Sequence, residues 1–322
     1  MLKIGLRVFF CTIGVLFFTF SKTIFATELK ENTIPVFLAA DEGYAPIASV
    51  MMKSVLMHTE SFIDFYVMDG GIKEETKELI KKDLQAYSHK NINFVDMSHY
   101  NLETFPSVFF TKNSFSRYFI PKIIPQRQRA IYLDVDIILR GDIRELYDQD
   151  MENYPLAAMS ETKYFSTLNK LFLKSHYPQY KGEEYFNSGV LLMDIQKLNE
   201  MDFFNKVMKL THVLKDKSGY LDQDALNILF ENNYKSLTED FNFLPFAKDN
   251  YERKYPAKKI EPIIVHYASQ QKPWLTQVSC FQEDFDRIAK SSVFYKWIIL
   301  LKFTGKFKGF LSIIFDSVAG IF

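Results

Sequence analysis

Two carboxylates, Asp134 and Asp136, stand one residue apart directly after the apolar run Ala130 to Leu133. That run predicts a buried strand, and side chains two positions apart on an extended backbone point to the same side. Both carboxylates can therefore reach one divalent cation, and hard oxygen ligands favour magnesium, manganese or calcium. Because Asp-x-Asp also occurs in turns and solvated loops, the tripeptide alone leaves an ordinary loop open as the alternative.

Other polar groups stand where predicted elements end or begin. His266 follows a predicted strand, Glu261 to Val265, and such a histidine taken alone is more often a hydrogen-bonded structural group than a ligand. Asp222 and Asp224 open a predicted helix, Ala225 to Phe230, where carboxylates also serve as N-terminal caps. Neither observation by itself distinguishes a binding site from a stabilising role.

The elements that must position these groups alternate between strands and helices. The predicted strands are Thr33 to Ala40, Phe62 to Met68, Asn91 to Asp96, Ala130 to Leu133, Leu156 to Met159, Ser188 to Met193 and Glu261 to Val265. The predicted helices are Ala45 to His58, Lys73 to Tyr87 and Asp202 to Leu214, with a helical turn from Ser114 to Ile120 that carries Arg117. This alternation predicts an α/β fold with a parallel, doubly wound sheet, whose ligands lie beyond the carboxyl ends of the strands.

Two features of this pattern leave alternatives open. Arg117, taken alone, is better interpreted as a solvated surface charge than as a binding residue. The segment Lys163 to Lys181 lacks clean periodicity, and we interpret it as a lid, an acceptor-binding loop or a plain surface excursion.

The composition narrows the class of protein. The 322 residues are 48% hydrophobic, enough to bury a full core in one large domain or two small ones. The formal net charge is +0, which gives no indication of a general affinity for nucleic acid. Cys11 and Cys280 are the only cysteines, so no disulfide framework is predicted, and a reducing compartment or indifference to redox state fits best.

Both ends of the chain combine apolar and basic residues. Residues 1–26 carry Lys3 and Arg7 ahead of an apolar stretch, a signal-like pattern that leaves open a cleaved signal, an uncleaved anchor and a start codon assigned too far upstream. Residues 286–322 mix aromatic and aliphatic residues with lysines. That mixture predicts either a C-terminal helical extension at a membrane surface or a helix packed on the domain.

In chain order, the sequence contains a series of short motifs: Leu38-Ala39-Ala40-Asp41 with Tyr44, Arg117, Leu133-Asp134-Val135-Asp136, Tyr185-Phe186-Asn187-Ser188-Gly189-Val190, Asp222-Gln223-Asp224, and His266-Tyr267 with Lys272-Pro273-Trp274. Together they resemble glycosyltransferase family 8, whose members include bacterial lipooligosaccharide galactosyl- and glucosyltransferases and glycogenin. The resemblance covers roughly Thr33 to Trp274, and we expect a catalytic domain over residues 33–280. It implies a GT-A type, Rossmann-like nucleotide-sugar-binding domain that transfers a sugar from UDP with retention of anomeric configuration.

The resemblance also implies a metal site. Asp134, Asp136 and His266 are expected to bind manganese, with magnesium possible, and to leave coordination positions for the two phosphates of UDP. Lys272 is expected to contact the same diphosphate.

Further roles are carried over from the family in the same way. The expected substrate-binding residues are Ala39, Ala40 and Asp41 at the uracil, Tyr44 stacked on the base, Lys272 at the diphosphate, and Arg117, Asn187 and Asp222 at the donor sugar, together with Asp134 and Val135. Gln223 is expected beside the anomeric carbon. A double displacement would require a carboxylate nucleophile such as Asp222 or Asp224, whereas front-side attack, which we favour, would use Gln223 to stabilise positive charge on the sugar.

Three positions depart from the family pattern. Gly43 stands where an asparagine is common, which removes one contact to the nucleotide. Ser269 stands where a glycine commonly lets the backbone approach the diphosphate. Glu161 stands where relatives often carry an aspartate near the donor sugar, and its longer side chain is expected to alter which sugar is accepted.

The resulting functional hypothesis is a metal-dependent transferase of galactose or glucose from a UDP-sugar to a glycolipid or lipopolysaccharide acceptor. The apolar ends favour a membrane-associated protein, and the need for UDP-sugar favours the cytoplasmic face. The alternatives are a metal-dependent phosphoesterase, which would leave the Asn187 and Lys272 segments unexplained, and an inactive nucleotide-sugar-binding relative.

Overall fold

The computed structural model describes residues 33–100, 112–161, 163–215, 220–254, 259–278 and 280–303. The strands are β1 (Ile34–Ala40), β2 (Ile63–Asp69), β3 (Lys90–Asp96), β4 (Arg129–Leu133), β5 (Ile137–Leu139), β6 (Leu156–Ser160), β7 (Phe186–Asp194), β8 (Lys235–Leu237) and β9 (Ile264–His266). The helices are α1 (Ala45–His58), α2 (Glu74–Asp83), α3 (Ile120–Ile123), α4 (Arg144–Tyr147), α5 (Lys163–His176), α6 (Ile195–Glu200), α7 (Phe203–Leu214), α8 (Leu221–Leu229), α9 (Lys248–Lys254) and α10 (Gln282–Lys290). Residues 295–303 are also helical, and a 3₁₀ segment, Lys112–Phe119, carries Arg117.

The main sheet has the strand order β3-β2-β1-β4-β7-β6-β8. Strands β3, β2, β1 and β4 are parallel, whereas β7 runs antiparallel to both β4 and β6. The expectation of a wholly parallel sheet is therefore wrong at β7. All residues of this strand are buried, and a strand buried on both faces carries no mark of its direction in the sequence.

Helices cover both faces of the sheet, as the α/β prediction requires. Val36 and Leu38 of β1 pack in one apolar cluster with residues of α1, whereas Phe37 packs in a second cluster with residues of α7 and α8. Successive side chains of a strand point to opposite faces, so a central strand must be apolar throughout. The two clusters hold the strand ends, and the polar residues that follow them, in fixed positions.

Two local predictions are corrected by the structure, and two short strands have no counterpart among the predicted elements. Lys163–His176 forms helix α5 rather than a loop; three consecutive apolar residues obscure its periodicity, and of these Leu173 is buried while Leu171 and Phe172 are exposed. The strand predicted over Glu261 to Val265 is instead β9, which includes His266. Strands β5 and β8 are not predicted, because three residues are too few to show a period.

Near the C-terminus, the described residues pack on the domain. Phe294 and Ile298 are buried in the core cluster that contains α1, and Lys302 forms an ion pair with Asp286 at 3.1 Å. The packed-helix alternative therefore holds up to residue 303. The predicted segment 1–26 and residues 304–322 lie outside the described residues. Among the helices that the structure describes, none combines the length and the apolar character needed to cross a bilayer.

Candidate active site

The polar motifs meet where β1 and β4 end and β7 begins. Because β7 is antiparallel to β4, its first residues lie beside the end of β4, and Asp134 N donates to Gly189 O at 2.8 Å. The ribbon of β5 and β9 pairs Ile137 with His266. This pairing brings His266 next to the Asp134–Asp136 segment from a distant part of the chain.

The three predicted metal ligands are brought together. One side-chain ligand atom from each of Asp134, Asp136 and His266 lies within 4.8 Å of the others. His266 Nε2 is 3.2 Å from Asp136 Oδ1 and 3.8 Å from Asp134 Oδ2. Two carboxylates and one imidazole form a donor set suited to a divalent cation such as manganese or magnesium.

Gly189 leaves the space that these ligands occupy. A Cβ atom at this position would lie 2.2 Å from His266 Cε1 and 2.7 Å from Asp134 Oδ2. Only a residue without a side chain allows β7 to approach both ligands this closely. The residues present therefore fit a cation held between the end of β4 and β9.

Two basic groups flank the carboxylates. Lys272 Nζ lies 2.5 Å from Asp136 Oδ2 and 2.7 Å from the carbonyl oxygen of Tyr267. Burial opposes ionisation of Asp136, but Lys272 and His266 outweigh it and hold the pKa of Asp136 below its ordinary value. Asp136 is therefore ionised, and Lys272 lies beside the position expected for a diphosphate.

Arg117 is buried, at 3% exposure, and is not a solvated charge. Its guanidinium lies 3.0 Å from Asp134 Oδ1 and 3.4 Å from Asp222 Oδ2, and it donates to the carbonyl oxygen of Ser188 at 2.5 Å. Burial raises the pKa of Asp222, although the charge of Arg117 opposes that shift. Arg117 thus links the metal-site carboxylate to the predicted sugar-binding carboxylate.

Gln223 and Asp224, in the first turn of α8, make different contacts and serve different expected roles. Gln223 Oε1 accepts from Ser188 N at 2.9 Å, and Gln223 Nε2 donates to the hydroxyl of Tyr185 at 3.2 Å. Asp224 is 1% exposed and accepts from the same hydroxyl at 2.6 Å. A nucleophile must reach the substrate, so the burial of Asp224 weighs against that role for this carboxylate.

The predicted nucleotide loop follows β1. Ala40 is buried, Ala39 is half-buried, and Asp41 Oδ1 accepts from Tyr44 N at 3.0 Å, which closes the loop. Tyr44 is 38% exposed, as the expected stacking on a base requires. Val135, which stands between Asp134 and Asp136 in the sequence, is half-buried.

Several residues near the site were not predicted. Tyr132 donates to Asp134 Oδ1 at 2.7 Å, and Asn242 Nδ2 donates to Asn187 Oδ1 at 3.0 Å. Asn242 is 0% exposed and also faces His266. Its only sequence signal is an amide between two phenylalanines, which does not distinguish it from a turn residue.

Two of the departures from the family pattern lie near this centre. Glu161 follows β6 and accepts from Asn169 of α5 at 2.6 Å. Burial raises its pKa to about 7, although amide donors, including Asn187, favour the ionised form. Ser269 lines a shallow surface cleft together with Pro245, Phe246, Tyr267, Gln271 and Val278.

Comparisons with known proteins agree with this geometry. Residues 35–277 match the model of Glycosyl transferase family 8. A Haemophilus influenzae protein designated a glycosyltransferase is 30% identical over 246 residues, which are 76% of this chain and 73% of that protein. Glycosyltransferase GlyA of Streptococcus pneumoniae is 29% identical over 246 residues, and the match covers 74% of this chain but only 32% of GlyA.

Solved structures show the same fold. Galactosyltransferase LgtC, in complex with donor and acceptor sugar analogs, aligns with a TM-score of 0.69 and 26% identity over 81% of this chain and 96% of LgtC. The bifunctional glycosyltransferase WbbM aligns with a TM-score of 0.71 and 21% identity over 84% of this chain and 52% of WbbM. The mixed α/β sheet with its site at the strand ends is thus of the GT-A type. The chain belongs to glycosyltransferase family 8.

Proposed function

We propose that the protein is a metal-dependent, retaining glycosyltransferase that moves galactose or glucose from UDP to a glycolipid or lipopolysaccharide acceptor. The observation that carries this proposal is the convergence of Asp134, Asp136 and His266 beside Lys272. The likeness to LgtC, a galactosyltransferase solved with donor and acceptor sugar analogs, supports a hexose donor. A phosphoesterase would not need the sugar-facing groups at Asn187 and Asp222.

The metal, manganese or magnesium, would neutralise the charge that develops on the leaving diphosphate. Asp134, Asp136 and His266 would hold it, and Lys272 would exchange its contact with Asp136 for one with a phosphate oxygen. Arg117 would keep Asp134 and the sugar-binding Asp222 at a fixed separation, because it contacts both.

At the donor end, Asp41 and the backbone around Ala39 and Ala40 would bind uracil while Tyr44 stacks on it. At the sugar, Asp222 would accept from a hydroxyl group, and Gln223 would present its amide near the anomeric carbon. The burial of Asp224 supports front-side attack over a double displacement that uses this residue. Retention is tested by the anomeric configuration of the first-formed product, observed by proton NMR.

We also propose that residues 33–280 form the catalytic unit and that the C-terminal segment, residues 286–322, meets a membrane surface on the side of the UDP-sugar pool through those of its residues that do not pack on the domain. Leu300 and Phe303 are 61% and 68% exposed, and they lie near Lys296 and Lys302 in sequence. Exposed apolar groups beside lysines support contact with anionic lipid. If protease added to intact cells or spheroplasts digests the catalytic unit, the cytoplasmic assignment is wrong.

The decisive test is a donor screen that measures UDP release with manganese and with EDTA, in the presence of candidate glycolipid acceptors. We expect release from UDP-galactose or UDP-glucose that EDTA abolishes and that Asp134→Ala lacks. Asp148→Ala is the matched control, because Asp148 pairs only with Arg144 at the surface among the contacts described for it. Release from neither donor, or equal release by the Asp134 variant, would contradict the proposal.

A further inference from the structure

Helix α5 belongs to the connection between β6 and β7, and this connection stands at the edge of the sheet that carries the active site. Ser160 at the end of β6 pairs with Phe186 at the start of β7, so both ends of the connection lie at that edge. Asn169 of α5 donates to the carboxyl group of Glu161 at 2.6 Å. This hydrogen bond attaches the helix to the residue that follows β6.

Helix α5 has apolar side chains on two sides, and only one side packs on the domain. Leu173 is 1% exposed, one helical turn from Asn169, which also faces the domain. Leu168, Leu171 and Phe172 are 46%, 61% and 43% exposed. Because residues three and four positions apart lie on the same side of a helix, these three form one exposed apolar stripe, the α5 stripe. A contiguous exposed stripe of this kind indicates an interaction surface.

The same segment is basic. Acidic and basic residues balance over the whole chain, at 39 each, yet residues 162–182 contain neither Asp nor Glu. Lys174 and Lys181 are exposed, and Lys170 donates to the carbonyl oxygen of Glu183, which carries no charge. The lysines of this segment are Lys163, Lys170, Lys174 and Lys181. The partner of the α5 stripe must therefore be apolar and must also accept positive charge around it.

An anionic lipid surface meets both requirements. Apolar side chains of an interfacial helix enter the boundary between headgroups and acyl chains, while its lysines meet the phosphates. A second copy of the chain fits less well. A two-fold symmetric contact through the α5 stripe would place the lysines of one copy against those of the other, and like charges across an interface oppose association.

We propose that α5 rests on an anionic bilayer with Leu168, Leu171 and Phe172 inserted. Because α5 stands at the active-site edge of the sheet, this contact brings the site to the lipid surface, where a lipid-linked acceptor would be presented. The inference deepens the proposed function and rests on its membrane-bound acceptor. It adds a lipid contact at the active site to the one proposed for the C-terminal segment.

The first test places a fluorescent reporter on the α5 stripe of the full chain. Phe172→Trp in a Trp297→Phe background introduces an indole there and leaves Trp274, which is 3% exposed, as a buried background signal. We expect vesicles that contain phosphatidylglycerol to shift its emission to shorter wavelength and brominated acyl chains to quench it, whereas pure phosphatidylcholine vesicles do neither. Leu79→Trp in the same background is the matched control, because Leu79 is 42% exposed on the acidic and basic surface of α2. It should respond to neither lipid.

Three results of this test would overturn the proposal. The first is no response of the Phe172→Trp indole to phosphatidylglycerol, and the second is an equal response to both lipids. The third is a shift to shorter wavelength that grows with protein concentration in the absence of vesicles, which would show that a second copy covers the α5 stripe.

The second test measures affinity for the same anionic vesicles by co-sedimentation. Leu171→Gln combined with Phe172→Gln removes two of the three inserted side chains, and both are exposed, so the fold should be kept. We expect affinity at least about tenfold weaker, from the usual contribution of burying such side chains. Lys174→Gln should weaken it about fivefold, from the usual contribution of one lysine near an anionic surface. Leu79→Gln should bind like the parent.

Parental affinity in the double variant would overturn the proposal. Neither test uses a donor, an acceptor or a metal, so each can succeed whether or not the protein transfers sugar. Absence of sugar transfer together with lipid-dependent fluorescence at Phe172→Trp would contradict only the proposed function.

Discussion

Replacing Gly189 with alanine tests the proposed metal site most directly. The added Cβ would lie 2.2 Å from His266 Cε1, whereas carbon atoms in contact are normally about 3.5–4.0 Å apart. His266 cannot yield easily, because it is 2% exposed, paired through β9 and hydrogen-bonded at Nδ1. Asp134, the other close neighbour, is held by Arg117 and Tyr132.

Relieving this contact requires a shift of more than about 1 Å in a ligand or in β7, judged from the normal contact distance. Overpacking of this kind typically costs about 1–3 kcal/mol of unfolding free energy. The same shift exceeds the tolerance of about 0.2 Å in metal–ligand distances. We therefore expect Gly189→Ala to fold with reduced stability and to lose manganese-dependent UDP binding by at least about tenfold.

Calorimetric titration of UDP with manganese and with EDTA separates the metal-dependent part of binding, and urea unfolding measures stability. For the stability measurement, Gly43→Ala is the matched control, because its Cβ would lie 3.4 Å from Asp41 Oδ1, an ordinary contact. The control should change stability by less than about 0.5 kcal/mol. If Gly189→Ala equals the parent in both measurements, His266 and Asp134 do not lie where the structure places them.

Three further predictions follow from the site. His266→Ala and Asp136→Ala should weaken manganese-dependent UDP binding, measured by calorimetry, to a similar degree. If only one of the two substitutions weakens this binding, the two residues do not share the role of metal ligand. Arg117→Met should destabilise the fold by about 3–5 kcal/mol because it leaves the buried Asp222 and the half-buried Asp134 uncompensated, as urea unfolding would show. Arg127→Met should cost less, because the side chain of Arg127 is 19% exposed and that of Arg117 only 4%. The pKa of Glu161 is raised from 4.5 to about 7, so between these pH values the folded protein keeps a proton on Glu161 that the unfolded chain releases. The contribution of this group to stability is therefore complete below pH 4.5 and is lost as pH rises through about 7. Unfolding of metal-free Glu161→Gln should lack that decline, and an identical pH dependence in parent and variant would show that Glu161 titrates normally.

Much of the fold follows from local sequence pattern. The sequence predicts β1, β2 and β4 from their apolar runs and α1 from its helical spacing. These elements are recognisable because the periodicity of apolar residues indicates which positions are buried, and turn residues indicate where the chain changes direction. The position of Asp134 and Asp136 after a buried strand allows a metal site, and the resemblance carried by the family motifs predicts a nucleotide-sugar site and its metal ligands. These predictions need only the types and order of residues along the chain.

Other features depend on which segments become neighbours. A buried strand is apolar whichever way it runs, so the reversed direction of β7, which places Gly189 against the metal ligands, is decided by its hydrogen bonds to β4 and β6. Strands β5 and β9 are too short to show a period, yet their pairing brings His266 to Asp136. The contact between His266 and the buried amide of Asn242 is likewise a property of the assembled site, because an amide donates or accepts according to the partner that packing places beside it.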